Sequence, residues 1–449
     1  MKEKTLYLCS DCGHTETKWL GRCPACGAWN TFQETATRPG RKAADRATGK
    51  TPVTVPLSRV EAQADLRFDS GIEEFNRVLG GGIMRGGAVL LGGEPGIGKS
   101  TLMLMIAAAV KTQGRVVVVS GEESPAQIRM RAERIGALAD RIEIAVETEM
   151  DAVMQILTTL KPVLVIVDSI QTLKHRELGP VSGTVNQMKF AAQELIDWAK
   201  LHTTALFLIG HVTKEGSIAG PKVIEHMVDT VLQFEPADQD LRFLRVAKNR
   251  FGSVDEIGIF QMAEDGLHQI KDSGGFFLEK RQGALPPGIV VAPVYEGSRV
   301  LLVELQSLAA PAKGGVPRVF SDRIDPRLVY KAQGVLEKHC GVQFGNYDVY
   351  VNVAGGLSIK EVGIELPLCL SLFSSRMGVP FPEHTVVCGE VSLAGEIRAI
   401  KQLEKRRRTA SELGFSRVVG PPGKEPESGQ GEYRAVATLA HAVRTVFGQ

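Results

Sequence analysis

Eight consecutive residues, Gly93-Glu94-Pro95-Gly96-Ile97-Gly98-Lys99-Ser100, narrow the possible folds of this chain more than any other feature. They read G-x-x-x-x-G-K-[ST], with the apolar run Ala88 to Leu91 before them and the helical run Thr101 to Val110 after. Strand, glycine loop and helix in that order make a phosphate cradle. The glycines let backbone N–H groups wrap the phosphates, and the helix N-terminus faces the anion. The reading is ATP bound by Gly93 to Ser100 and Thr101, with Lys99 reaching the β- and γ-phosphates and Ser100 ligating Mg(II).

The surrounding pattern suits such a loop. From Arg67 to about Ile270, short β-branched runs (Val116 to Val119, Val163 to Val167, Ala205 to Ile209) alternate with helical stretches, the rhythm of a parallel sheet with crossover helices. Val163 to Val167 ends in Asp168, expected to hold the Mg(II) hydration shell, although an acid at a strand end also serves as a helix N-cap. Val116 to Val119 leads into Ser120-Gly121-Glu122-Glu123-Ser124. Glu122 is the first candidate to polarise the attacking water and Glu123 its rival, the alternative being two acids that decorate a helix start before Pro125. His211 follows the strand Ala205 to Ile209, beside the expected γ-phosphate position or as a cap. It opens the basic segment Val212 to Pro221, which holds Lys214 and precedes Lys222. A second candidate DNA loop, Gln171 to Asn186, carries Lys174, His175 and Arg176.

Cys9-x-x-Cys12 and Cys23-x-x-Cys26 form two knuckles whose four thiolates complete a tetrahedron around Zn(II), leaving no open position for a catalytic water. A structural zinc ribbon over residues 1–34 is expected, in contact with DNA, nucleotide or a partner protein. The polar stretch from Thr35 to about Arg59 reads as linker, and residues 35–65 separate ribbon from core. The three remaining cysteines, Cys340, Cys369 and Cys388, sit in apolar context, which favours buried thiols in a reducing cytosol over disulfides.

Lys+Arg of 53 against Asp+Glu of 51 gives a net charge of +2, so no global basic field announces nucleic acid, and DNA contact has to come from local patches. No stretch reaches the length of a membrane span and the N-terminus has no apolar leader segment. A cytoplasmic protein is expected.

Lys248-Asn249-Arg250-Phe251-Gly252, after the strand Arg242 to Ala247, resembles the K-N-R-F-G signature of the RadA/Sms proteins. The ribbon, the Gly93 to Ser100 loop, the Ser120 to Ser124 segment and the C-terminal region occur in that family's order, so the resemblance covers essentially the whole chain. It implies an α/β RecA-like P-loop ATPase core (66–275), preceded by the zinc ribbon and followed by an α+β Lon-protease-like domain without its catalytic dyad (276–449). It also implies a hexameric ring ATPase of DNA repair and recombination that promotes branch migration on single-stranded and branched DNA beside a RecA-type recombinase. Lys248 and Arg250 would then be fingers reaching the neighbouring subunit's γ-phosphate, where the residues alone equally allow two cations in a surface turn.

In the C-terminal region, Asp348 to Gly356 and Gly389 to Gly395 carry the Lon resemblance. The serine slot of a Lon protease falls near Ile364-Glu365 and the lysine slot at Arg406, so neither dyad member is present, and arginine cannot deprotonate to serve as base. Ser358 and Lys405 lie nearby. The family carries E-P-A-A-D-L where this chain has Glu361-Val362-Gly363-Ile364-Glu365-Leu366. Lys401, Lys405, Arg406, Arg407 and Arg408 fall on an expected helix that either lines a DNA channel or forms a solvated face. Besides the DNA-dependent ATPase, a RecA-like strand-exchange filament and a KaiC-like regulatory ATPase stay open, while an ATP-dependent protease lacks its nucleophile and base.

Overall fold

The computed structural model describes residues 5–9, 14–24, 27–36, 56, 58, 66–179, 181–211, 219–237, 240–270, 274–279, 285–314, 316–423 and 431–448. The chain divides into two compact units, one of Met1–Glu235, Leu244–Ser253 and Ala263–Leu267, the other of Pro236–Phe243, Val254–Met262 and His268–Gln449. No described helix is long and apolar enough to cross a membrane.

The first unit opens with a three-stranded antiparallel sheet in which Thr5–Cys9 pairs with both Thr15–Glu16 and Phe32–Ala36. Its small core is Cys9, Cys23 and Phe32 with Tyr7 against them. The main sheet of this unit runs in the order Leu241–Asn249, Thr230–Pro236, Ala88–Gly93, Ala205–His211, Leu164–Asp168, Val116–Ser120, Ile142–Val146. The five strands from Thr230–Pro236 through Val116–Ser120 pair in parallel, as does Ile142–Val146 at the edge. Central strands of such a sheet are covered on both faces. That explains why Val116 to Ser120 and Leu164 to Val167 are continuous buried runs instead of alternating ones.

Register matters more here than layer count. Gly93 lies level with His211 and Phe234, and Ser120 with Asp168, so the carboxyl ends of the strands line up along one edge of the sheet. In open α/β sheets this edge is where ligands bind.

The second unit is α+β. Its seven-stranded mixed sheet has the order Val319–Ser321, Tyr347–Val353, Arg299–Pro311, Ile289–Glu296, Thr385–Val387, Arg417–Gly420, Glu432–Ala435. The hairpin between Ile289–Glu296 and Arg299–Pro311 turns at Gly297, whose φ of +63° and close approach to the Asp255 carbonyl leave no room for a Cβ. Helix Glu365–Met377 is buried from Glu365 to Ser374 and packs on this sheet within one apolar core. Helix Pro326–Cys340 begins where the Asp325 carboxylate accepts from Arg327 N, with proline in the first turn, and ends at Gly341 in the left-handed region.

Candidate functional site

The strand Ala88–Gly93 delivers the loop to the carboxyl edge of the sheet, and helix Lys99–Ala109 leaves from it. Gly96 and Gly98 take φ of +77° and +108°, conformations that turn successive N–H groups inward and that side chains resist. Lys99 is 3% exposed, and its Nζ donates to the carbonyls of Gly93 and Glu94, each at 2.9 Å. Burial lowers the Lys99 pKa, and the nearby Asp168 and Glu122 carboxylates oppose that shift. The ammonium is therefore held inside the loop with two acids facing it. Pro95 and Gly96 are exposed, Ile97 is buried, and Glu94, Ser100 and Thr101 are half-buried at the loop's base and the helix's first turn.

Asp168 ends its strand as expected. Burial raises its pKa, with the Ser100 hydrogen bond as the main opposing influence. Ser100 and Asp168 thus meet as two hard oxygen donors beside Lys99, a donor set that suits Mg(II) with waters and phosphate completing the shell.

Both rival glutamates lie near Asp168 and help to raise its pKa, but they have different partners. Glu122 Oε1 accepts a 2.5 Å hydrogen bond from Ser169 Oγ, which places its carboxylate at the Asp168 strand end. Glu123 forms a close ion pair with Arg131 of helix Pro125–Arg134. That helix is capped by Ser124 and Gln127 in a reciprocal capping box, so neither glutamate caps it, although Glu123 stays tied to it through Arg131. Ser169, Arg131 and Thr172, which packs where a Cβ on Gly121 would fall, were not singled out by sequence reasoning. Only the serine directly after the strand-end aspartate offered a signal.

His211 is the last residue of its strand, level with Gly93. The segment 212–218, including Lys214, lies outside the described residues, and Lys222 beyond it is exposed. The second candidate DNA loop is braced by its own contacts. Lys174 and Arg176 both pair with Glu149, and His175 packs on Phe190. The buried Gln187 side chain accepts from His175 N and donates to the carbonyls of His175 and Gly179. Residues 175–179 are pinned by these bonds, while the Arg176 side chain stays 81% exposed.

Lys248 and Arg250 sit at the far end of the sheet. Arg250 Nη1 pairs with Asp229 Oδ1 at 3.2 Å, and Asp229 Oδ2 accepts from Ala88 N at 3.1 Å. Lys248 Nζ donates to the carbonyls of Glu225 at 2.8 Å and Val228 at 2.7 Å, and burial lowers its pKa. Ala88 begins the strand that ends in Gly93. Five residues at about 3.3 Å each put these cations roughly 17 Å from the loop of their own chain.

In the ribbon, Cys9 and Cys23 are buried together, with exposures of 0% and 1%. Gly27 N donates to Cys23 O, and Gly27 has a φ of +76°, the geometry of a metal knuckle. Cys12 and Cys26 lie outside the described residues. The half of the ligand set that is placed fits a thiolate-bound metal.

The expected basic face of helix Leu403–Glu412 is corrected by the structure. Arg406 and Arg407 are 1% and 2% exposed. Arg406 makes a two-pronged pair with Glu361 at 2.7 and 2.6 Å and also donates to the Pro293 and Lys401 carbonyls. Arg407 pairs with Glu404 and stacks on Tyr433. Lys405 donates to the Ser298 carbonyl, so of the five cations only Lys401 and Arg408 are exposed. Counter-ions, carbonyls and a tyrosine ring hold a helix face that composition had marked as solvated. Glu365 is held by Lys331 and the Val391 N–H, and Ser358 is exposed.

A glycine phosphate loop at the carboxyl edge of a parallel sheet, with a lysine, a serine and paired carboxylates around it, defines a P-loop ATPase of the RecA-like class. Two family models match the chain, an AAA domain over residues 54–217 and a rubredoxin metal binding domain over 7–34. The DNA repair protein RadA of Treponema pallidum is 48% identical over 100% of this chain and 99% of that protein. Those of Brucella abortus and Bacillus subtilis are 42% and 39% identical over 98% and 100% of this chain, covering 97% and 99% of theirs. This chain belongs to the RadA family. A solved KaiC-like protein from Pyrococcus horikoshii, 19% identical, aligns over 45% of this chain and 98% of its own with a TM-score of 0.38.

Proposed function

We propose that the chain is a DNA-dependent ATP hydrolase and DNA motor of recombination and repair. It would work in the cytoplasm as a homo-hexameric ring that promotes branch migration on single-stranded and branched DNA beside a RecA-type recombinase. One observation carries the assembly part. Lys99, Ser100, Glu122 and Asp168 gather at the loop edge, while Lys248 and Arg250 sit at the start of the loop strand, beyond reach of their own chain's phosphates. Cations so placed serve hydrolysis only by acting on a neighbour, and a closed ring supplies every loop with one. The DNA substrate is supported by the named activity of the RadA relatives in DNA repair.

In this reading the loop N–H groups and Lys99 hold the phosphates, with His211 nearby, and Glu122 orients the attacking water and takes its proton. Ser100 and Asp168 would hold Mg(II), which would supply charge neutralisation for the bound phosphates. Lys248 and Arg250 stabilise the transition-state charge in trans, and Zn(II) on Cys9, Cys12, Cys23 and Cys26 is structural. We place the domains at 1–34, 66–275 and 276–449, the last a Lon-protease-like fold whose serine slot falls near Ile364-Glu365 and whose lysine slot holds Arg406, with Glu365 and Arg406 both in ion pairs.

The test is ATP hydrolysis with and without single-stranded DNA over a salt series, for wild type, Lys99→Ala and Lys248→Ala. The proposal expects salt-sensitive stimulation by DNA that both variants lose. Hydrolysis indifferent to DNA at low salt would overturn the motor and leave a regulatory ATPase. Long helical polymers on DNA in electron micrographs, in place of closed rings, would favour a strand-exchange filament.

A further inference from the structure

We infer that Asp229 is the positioning residue for Arg250, tying the finger that serves one subunit's nucleotide to the strand that carries the loop of its own. The inference rests on the reading of Arg250 as a finger acting in trans.

Asp229 is 5% exposed, and both of its carboxylate oxygens are committed. Oδ2 accepts from Ala88 N, the first residue of the loop strand, and Oδ1 takes Arg250 Nη1. The backbone adds two further links, Asp229 N to Ala88 O at 2.9 Å and Arg250 N to Asp229 O at 3.1 Å. The next residue, Thr230, donates from its hydroxyl to Asn249 Oδ1, which also accepts from Phe251 N. The finger's backbone is therefore fixed from both sides. The guanidinium, with a side chain 54% exposed, depends on one carboxylate for its direction. A buried carboxylate fastened to the sheet through a second hydrogen bond makes a rigid anchor, whereas an exposed acid would let a long side chain wander. Because the same carboxylate holds Ala88 N, a displacement of the loop strand in one subunit moves the finger aimed at the next.

Asp229→Asn separates the two jobs. The asparagine oxygen still accepts from Ala88 N, while its NH2 group faces the guanidinium and cannot hold it. The expected result is a kcat for ATP hydrolysis reduced about 10- to 100-fold, the loss typical of a misplaced reacting group, with KM for ATP changed less than about twofold. Arg250→Ala should lose as much, and the double variant no more than Arg250→Ala alone. Mixed with Lys99→Ala chains, whose loop is disabled but whose Arg250 is intact, the Asp229→Asn protein should regain hydrolysis, because its loops then receive sound fingers from their neighbours.

The outcomes are distinguishable. If Arg250→Ala hydrolyses ATP at the wild-type rate, the finger reading itself fails. If Arg250→Ala is impaired but Asp229→Asn is not, Asp229 does not position the finger. If Lys99→Ala chains restore Arg250→Ala but not Asp229→Asn, Asp229 acts within its own subunit and the inference is overturned. Should Asp229→Asn not fold, Asp229→Glu keeps the charge but shifts it by one methylene. It is read by the same kcat loss and the same mixing experiment.

Discussion

Glu361→Gln is a small change with a large expected cost, because its partner has nowhere to go. Arg406 is 1% exposed, and its guanidinium is met by both Glu361 oxygens at 2.7 and 2.6 Å, with the Pro293 and Lys401 carbonyls taking remaining donors. Glu361 Oε1 also accepts from Tyr295 N at 3.1 Å. Glutamine preserves size and one acceptor but removes the charge, leaving a guanidinium buried without its counter-ion. Breaking a buried pair in this way costs about 3–5 kcal/mol. For a unit of this size each kcal/mol moves the midpoint about 2–4 °C, so the unfolding transition of the C-terminal unit should fall by roughly 6–20 °C. Calorimetry read alongside limited proteolysis assigns the transition to that unit. Arg406→Met leaves a carboxylate with some access to water, and Glu361→Leu with Arg406→Met leaves no charge at all, so the double variant should be more stable than Glu361→Gln. A Glu361→Gln protein within about 1 kcal/mol of wild type would refute the burial argument, as would a double variant whose loss equals the sum of those of Glu361→Leu and Arg406→Met measured singly.

Two further outcomes follow from the site. Glu122→Gln should lower kcat by about 10²- to 10⁴-fold with nucleotide binding retained. Glu123→Gln should instead act mainly through its pair with Arg131, with a far smaller loss of turnover, and equal losses in steady-state hydrolysis would deny the division of labour. Gln187→Leu removes three hydrogen bonds that pin residues 175–179 and should cost about 1–3 kcal/mol. It should also make that segment the first site of tryptic cleavage, at Lys174 or Arg176, and an unchanged digestion pattern would show that the Glu149 pairs suffice without it.

The candidate site was legible in the sequence wherever its chemistry demands contiguous residues. A phosphate cradle needs its glycines, lysine and serine within one turn, and a metal knuckle needs two cysteines a fixed step apart, so Gly93 to Ser100 and the four ribbon cysteines could be read directly. The strands beneath the loop were equally plain, since central parallel strands are uninterrupted apolar runs. Val116–Ser120 and Leu164–Asp168 fall within one residue of the runs read from the sequence.

What the tertiary structure decided were pairings between distant positions. Glu122 was separated from Glu123 by Ser169, 47 residues on, and Arg250 owes its direction to an aspartate that also holds a strand 141 residues earlier. The run Lys401 to Arg408 looked solvated because charge usually is, yet Arg406 is buried by a glutamate 45 residues away and Arg407 by a tyrosine ring. A local motif fixes which groups meet when their partners are neighbours in the chain. A lone charge carries no record of its partner, and whether it faces water or a counter-ion is settled only when packing brings the two together.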